Sequence, residues 1–365
     1  MAHVSSAAAP PDAGPGGPSN PSISVVVLAH GRRSFVEDAL RSIAHQTLDR
    51  RHFEVFLLKD LGSPEVPTEL DGLRLEVLDL ASGPIGRWIR SVLPRLRGEY
   101  LAFLDDDDAF EPEKLERALE ALHDPAAPTY YHHRVRPWTS SGPSAPTDRS
   151  RETDPTERSW WLLASLDGRL RFRRLWRSGA AFNLSSIAIR RSLLDVRPDL
   201  LEEIEVSLST FLFFAALSGP APLAIDEAAR SRYRREEGYS PVGEPLPRSA
   251  RRLSALAGPR ARDARVLLNL VGPWGHPEAE RVLRAPLWQA ELIGALEGGP
   301  AHRGSMLGSM ARTVRDRPWR AIAGERVIFG DAARFLVSPA WGRRSWTRHS
   351  GRSGPPSPPP TVRVG

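Results

Sequence analysis

Apolar positions in the first third of the chain switch between two spacings. Ile23-Ser24-Val25-Val26-Val27-Leu28-Ala29 is a short β-branched run, continuous enough to predict a strand covered on both faces. Gly31 ends it, and Ser34 offers an N-cap to a helix from about Phe35 to Gln46. In that helix Phe35, Ala39, Leu40 and Ile43 recur at helical spacing. Phe53 to Leu58 reads as a second strand, ending in Lys59-Asp60-Leu61-Gly62-Ser63. Leu73 to Leu78 reads as a third.

The pattern then repeats. After Gly83-Pro84-Ile85-Gly86 a helix runs through Trp88, Ile89, Val92 and Leu93, and Gly98 marks its end. Tyr100 to Leu104 forms a fourth strand that runs straight into Asp105-Asp106-Asp107-Asp108. Pro112 suits the first turn of the following helix, where a missing N–H costs least. Strands alternating with helices over short connections predict an α/β fold, a mostly parallel sheet flanked by helices. Farther on lie a polar loop over 139–158, apolar stretches at 160–166 and 182–189, and a helix around Phe211 to Leu217. Residues 250–300 carry further helical patterning. The expected organisation is a leader over 1–21, an α/β domain over 22–245, a helical basic region over 246–350 and a tail over 351–365.

Composition changes this picture in two places. All but two of the 50 basic residues are arginine, the exceptions being Lys59 and Lys114. The formal charge of +6 is also uneven: Ala301 to the end holds 12 Arg against Asp316, Glu325 and Asp331, an excess of 12 − 3 = +9, so the rest is 6 − 9 = −3. A basic C-terminal region favours contact with an anionic membrane. Nucleic acid is disfavoured, because the chain lacks a stripe of interleaved basic and aromatic residues. The absence of cysteine excludes disulfides and thiolate chemistry. With neither a secretory leader nor a run of ~20 apolar residues, the expected location is cytoplasmic, at most peripheral to the inner face of the membrane.

The chemistry concentrates at Asp105 to Asp108. Ligands of parallel α/β sheets gather at the carboxyl ends of the strands, where these acids fall. Adjacent carboxylates repel unless something positive sits among them, and Mg2+ or Mn2+ would relieve that repulsion while also binding phosphates. A solvated acidic turn near the next helix is the plain alternative. Context favours the first reading. Ser24 to His30, Phe53 to Ser63, and Gly98-Glu99-Tyr100-Leu101-Ala102-Phe103-Leu104-Asp105-Asp106-Asp107-Asp108 with Pro112 and Lys114-Leu115-Glu116 closely resemble successive pieces of family 2 glycosyltransferases. The likeness spans roughly residues 22–240.

That resemblance implies a GT-A fold and a nucleotide-diphosphate sugar as donor, with a helical C-terminal extension beyond it. It places Asp105 and Asp106 at the nucleotide and Asp107 on the Mn2+ or Mg2+ ion. Asp60 approaches the base, Ala29 and His30 line the pocket, and Gly86 and Arg87 stand at a turn beside the nucleotide. The implied reaction moves a sugar to a glycan, lipid-linked or protein acceptor. Arg87 reads equally as a phosphate partner or as an exposed helix residue.

The chain also departs from the pattern. Where the family carries an acid just before an apolar helix, this sequence reads Val206-Ser207-Leu208-Ser209-Thr210-Phe211-Leu212. Glu202, Glu203 and Glu205 lie just upstream. Glu203 and Glu205 are the candidate acceptor-side bases, with a solvated helix face as the alternative. Tyr233-Arg234-Arg235-Glu236 resembles a Tyr-Arg-x-His segment with Glu236 in the histidine's place. A non-catalytic member that binds nucleotide sugar or a partner stays open, as does a nucleotidyltransferase on a similar sheet. Tyr130-Tyr131-His132-His133 predicts a strand near the sheet edge, and Trp160-Trp161 either stacks on an acceptor or packs in the core.

Overall fold

A computed structural model describes residues 21–29, 33–60, 68–139, 142–143, 160–164, 172–234, 246–299, 302–316 and 326–350. His30, the turn at Leu61 to Ser63, Glu236, nearly all of the leader, most of the 139–158 loop and the tail lie outside them.

The chain opens with β1 (Ile23–Ala29), α1 (Arg33–Ala44), β2 (Phe53–Asp60), β3 (Glu69–Leu70), β4 (Leu73–Leu80), α2 (Ile85–Val92), β5 (Tyr100–Asp105), β6 (Ala109–Phe110) and α3 (Lys114–Leu122). It continues with β7 (Tyr130–Thr139), β8 (Gly142–Pro143), β9 (Trp160–Leu163), α4 (Phe172–Ser178), β10 (Ile187–Arg190), α5 (Pro198–Glu203), α6 (Leu208–Ser218) and β11 (Leu223–Arg234). Helices α7 (Leu246–Val271), α8 (Pro277–Leu296), α9 (Arg303–Asp316), α10 (Arg326–Val337) and α11 (Pro339–Ser350) complete it.

One sheet runs in the order β3-β4-β2-β1-β5-β10-β7-β11-β6, with β8 on β7 and β9 on β11. Strands β4, β2, β1 and β5 are parallel. Strand β10 then pairs antiparallel with both β5 and β7. The parallel half is covered on both sides, as its unbroken apolar runs require. Val26, Leu28, Phe56 and Phe103 pack with Trp88, Ile89 and the wholly buried helix face Phe211 to Leu217. Val25, Val27, Leu57 and Leu104 pack against Val36, Leu40, Ile43 and Leu115 on the other side. Helix α7 joins both parts of the molecule. Val266, Leu267 and Leu270 belong to the sheet's core, while Leu253 and Ala257 join Leu292, Ile328, Phe335 and Trp346 in a separate C-terminal core.

Two local expectations need correction. Helix α1 begins at Arg33, so Ser34 falls inside it rather than capping it. Helix α3 begins at Lys114 with Glu113 at its N-cap, so Pro112 precedes the helix. The segment Tyr130 to His133 lies near the edge of the sheet as expected, on β7 between β10 and β11, and is buried. Among the described residues, no helix is long and apolar enough to cross a membrane.

Both lysines are buried. Lys59 places Nζ 2.6 Å from Asp79 Oδ1 on the neighbouring strand. Lys114 has its Nζ 3.4 Å from the Ile187 carbonyl oxygen and 4.7 Å from the Phe110 ring centre. Burial lowers the Lys114 ammonium to about 7, so this side chain can enter the core by giving up its proton. Arginine has no such route.

Candidate active site

Register brings the candidate donor residues to one edge. Ala29 is opposite Lys59, one residue before Asp60 ends β2, and Leu28 is opposite Asp105. Asp60 pairs with Leu80, after which the chain turns into α2 carrying Gly86 and Arg87. Ala29, Asp60, Asp105 and the start of α2 therefore share the carboxyl edge of four adjacent parallel strands. Arg87 is exposed there. Gly86 is fixed by packing: a Cβ at that position would lie 1.6 Å from the Leu201 carbonyl oxygen. Its amide donates to the Ile204 carbonyl at 2.9 Å. The glycine lets α2 meet α5 backbone to backbone.

The acids after β5 are not a solvated turn. Asp106, Asp107 and Asp108 are 5%, 6% and 2% exposed. The Asp106 amide donates to Leu28 O at 3.1 Å, and the Asp108 amide closes the turn on Asp105 O at 3.1 Å. Asp108 faces inward. Its Oδ2 accepts from Asn183 Nδ2 and Ser185 Oγ, both at 2.7 Å, and its Oδ1 accepts from the Arg234 amide at 3.2 Å. Burial, and after it the charge of Asp107, push the Asp108 carboxyl up to about 7 against the pull of those bonds. Ser185 Oγ also accepts from the Asp105 amide at 3.0 Å, so one hydroxyl ties the end of β5 to the end of the acid run. Asn183 adopts φ 62°, a left-handed backbone that asparagine tolerates better than most residues.

Arg234 braces the turn from the far side. It is buried, and its Nε donates to Asp107 O at 3.2 Å while its Nη2 donates to Asp38 Oδ2 at 3.2 Å. The guanidinium carbon lies 3.9 Å from the Phe35 ring centre and 4.0 Å from that of Trp138. The fork is thus held between two aromatic faces. Sequence reading singled out Arg234 only as part of a Tyr-Arg pair. It missed Asn183 and Ser185, although the polar Asn-Leu-Ser-Ser break in an apolar stretch was the available sign.

The candidate acceptor-side residues lie next to the start of α2. The Ile85 amide donates to Glu205 O at 3.3 Å. Glu203 is exposed on the last turn of α5. Glu205 is engaged elsewhere: its carboxylate accepts from Arg262 Nη2 at 2.7 Å and also from Nε. That bidentate hydrogen bonding holds it below the usual glutamate range and makes it a weaker base. Residues 205–207 precede α6 without a side-chain cap from Ser207. Instead Asp263, buried on α7, accepts from the amides of Glu205, Val206 and Ser207 at 2.7, 2.9 and 2.7 Å.

The two histidines behind the site are core groups. His132 Nε2 lies 3.2 Å from Phe182 O, and His133 Nδ1 lies 2.7 Å from Arg134 O. Burial lowers His132 to about 4 and takes His133 well below its ordinary value, so both are neutral near pH 7. Trp160 is buried while Trp161 is exposed, as neighbours on a strand should be. A cavity of about 330 Å³ lies beyond Trp138, lined by Asp38, Arg41, His45, Phe110 and Arg232, and does not include the acid turn.

Comparison with known proteins gives the arrangement a context. Residues 24–195 match Glycosyl transferase family 2. EpsH of Bacillus subtilis (strain 168), named for a glycosyltransferase, is 23% identical over 156 residues, which are 41% of this chain and 44% of EpsH. TuaG of the same organism, named for a glycosyltransferase of teichuronic acid biosynthesis, is 29% identical over 108 residues, 28% of this chain and 42% of TuaG. The chain thus spans less than half the length of either relative. S. aureus TarS 1–349, solved in complex with UDP, superposes with a TM-score of 0.50 over 90% of this chain and 89% of that one, at 16% identity. The fold is the GT-A type that the sequence implied.

Proposed function

We propose, on the match of residues 24–195 to Glycosyl transferase family 2, that the protein transfers a sugar from a nucleotide-diphosphate donor to a hydroxyl of a glycan, lipid-linked or protein acceptor. The observation that carries this reading is the burial of Asp106, Asp107 and Asp108 at the carboxyl edge of the sheet. Carboxylates gathered this closely at the carboxyl end of a parallel strand stand where such sheets take their ligands.

The residues fit a divalent ion. Among the described residues no cluster of three or more His, Asp or Glu side chains forms a ready cage. Mg2+ and Mn2+ do not need one, since they are held by one or two carboxylates together with substrate phosphates. Asp107 is the proposed metal ligand, with Asp105 and Asp106 beside the nucleotide. When bound, the ion would stabilise negative charge on the departing diphosphate. The chain's own residues do the rest. Arg234, Ser185 and Asn183 hold the acid turn rigid, Asp60 and Ala29 line the proposed nucleotide pocket, and Gly86 and Arg87 border it. The acceptor oxygen forms a bond to the anomeric carbon as the bond to the diphosphate breaks, and a carboxylate takes the hydroxyl proton. Because Glu205 is engaged by Arg262, that proton falls to Glu203 in this reading. The TarS complex makes uridine nucleotides the first donors to test, and action on the cytoplasmic side is part of the same proposal.

The test is donor hydrolysis and transfer over a panel of nucleotide sugars, with and without Mn2+ or Mg2+. Turnover that needs the metal and is lost in Asp107→Ala supports the proposal; turnover untouched by that change sinks it. A binding protein without turnover is the second reading. The serine and threonine at 209 and 210 favour it, as does the use of Asp263 on backbone amides. Metal-dependent stabilisation by a nucleotide sugar, with no product formed, would establish it.

A further inference from the structure

We propose that α9, α10 and α11 carry a face that docks on an anionic lipid surface, a property that goes beyond the transferase reading and does not depend on it. Four large apolar side chains stand in solvent on these helices: Val337, Leu307, Trp341 and Val314, at 66%, 58%, 44% and 40% exposure. Val337 and Leu307 are the most exposed large apolar residues among those described. They stand on helices that are tied together. Arg303, one turn before Leu307 on α9, donates from Nη2 to the Val337 carbonyl at 2.7 Å and ties α9 to the corner between α10 and α11. Val314 follows Leu307 on the same side of α9, seven residues on.

On α11 the exposed residues Trp341, Arg344 and Arg348 recur at the spacing of one helix face. Arg334 adds its guanidinium 5.9 Å from the Trp341 ring centre. The opposite face is fixed by packing. Trp346 and Ser345 are buried, and a Cβ at Gly342 would lie 2.5 Å from the Phe335 amide nitrogen, so α11 crosses α10 at closest approach. Roles are sorted the same way. Arg343 turns inward to Ala295 O and Gly299 O, while Arg344 and Arg348 stay outside. Of the acids on these helices, Asp331 is buried and taken by Arg334 at 2.6 Å and His349 at 2.8 Å, and Asp316 ends α9.

Protruding aliphatic groups, an exposed indole and the exposed Arg344 and Arg348 suit one occupant. Arginines meet lipid phosphates, tryptophan favours the headgroup level, and Val337 and Leu307 reach the acyl boundary. A second copy would set arginine against arginine. Nucleic acid would satisfy the arginines and leave the aliphatic groups in water.

The experiment is sedimentation of the full chain with vesicles of phosphatidylcholine alone, or of phosphatidylcholine mixed with phosphatidylglycerol. Binding to the mixed vesicles that weakens with added salt is expected. Arg344→Gln and Arg348→Gln should each lower partitioning by about fivefold. The double variant Val337→Ser with Trp341→Ser should abolish sedimentation without shifting the unfolding temperature, since both side chains lie outside the core. Equal binding to neutral and mixed vesicles, or no binding to either, overturns the proposal. So does a dimer of the unmodified chain that Val337→Ser with Trp341→Ser splits into monomers, because the face would then belong to a second copy.

Discussion

Two places on the carboxyl edge of the sheet use carboxylates in opposite ways. At the acid turn four come from consecutive residues: Asp108 turns inward onto Asn183, Ser185 and Arg234, while Asp105 to Asp107 are the ones proposed to serve the donor. At residues 203–210, beside the start of α2, the acid expected before the apolar helix is absent. There Asp263 reaches in from α7 and spends both oxygens on backbone amides. An acid placed beside a ligand site by its own strand can be kept for chemistry. One borrowed from 56 residues away here completes a helix entrance. The comparison also places the C-terminal helices within the fold: the segment beside α2 depends on α7 for its amides and for the Arg262 partner of Glu205.

The comparison can be broken at several points. Asp107→Asn should lower transfer by about a thousandfold or more, the several kcal/mol that stabilising charge on the leaving group is worth, with thermal unfolding little changed. Arg234→Ala should cost about a hundredfold in turnover by loosening the turn it braces, and should also lower the unfolding temperature. If Arg234→Ala unfolds less readily than expected and keeps full activity, the bracing role fails. Asp263→Ala should show the reverse profile. Stripping three amides of a buried charged acceptor should reduce stability by roughly 2–3 kcal/mol in urea unfolding, with the donor KM almost unaffected.

Lys114, packed behind the acid turn, gives a pH test. Its folded value of about 7 lies below the ordinary lysine value of about 10.4, so between them the unfolded chain holds a proton that the folded chain does not. Stability should therefore rise with pH across that window, by at most about 1.4 kcal/mol per unit, and Lys114→Met should flatten the rise. The smallest effect is expected at Glu205→Gln. Its pairing with the half-exposed Arg262 is worth less than ~1 kcal/mol, and turnover should hold if Glu203 is the base. A large loss of turnover in Glu205→Gln, with Glu203→Gln unaffected, would exchange the two roles.

Much of the parallel sheet and the position of the acid run was legible along the chain because their determinants are local. Val25 to Leu28 announce a doubly covered strand by their own composition, and Tyr100 to Asp108 place acids at a strand end whatever the rest of the chain does. The misplaced helix starts at Ser34 and Pro112 are errors of one or two residues. The burial of Tyr130 to His133 was not legible for a different reason: the polar groups of this tetrapeptide are satisfied by neighbours that the sequence does not announce. Here Asp226 accepts from the Tyr131 hydroxyl, and backbone carbonyls meet both histidines. The pairings of Asp108 with Asn183, Ser185 and Arg234 join residues 75 to 126 apart and leave no periodic trace.

By itself, then, the sequence determined which segments became strands and helices, where acids would meet the sheet's carboxyl edge and which end of the chain would be basic. Spacing, β-branching and charge act within a turn or two of the residues that carry them. Only the tertiary structure decided that Asp108 braces the acid turn, that Glu205 belongs to Arg262, that Asp263 caps another helix and that Arg344 faces out while Arg343 faces in. These follow from burial and from partners brought within 3 Å or so by packing, which nothing short of the assembled core can specify.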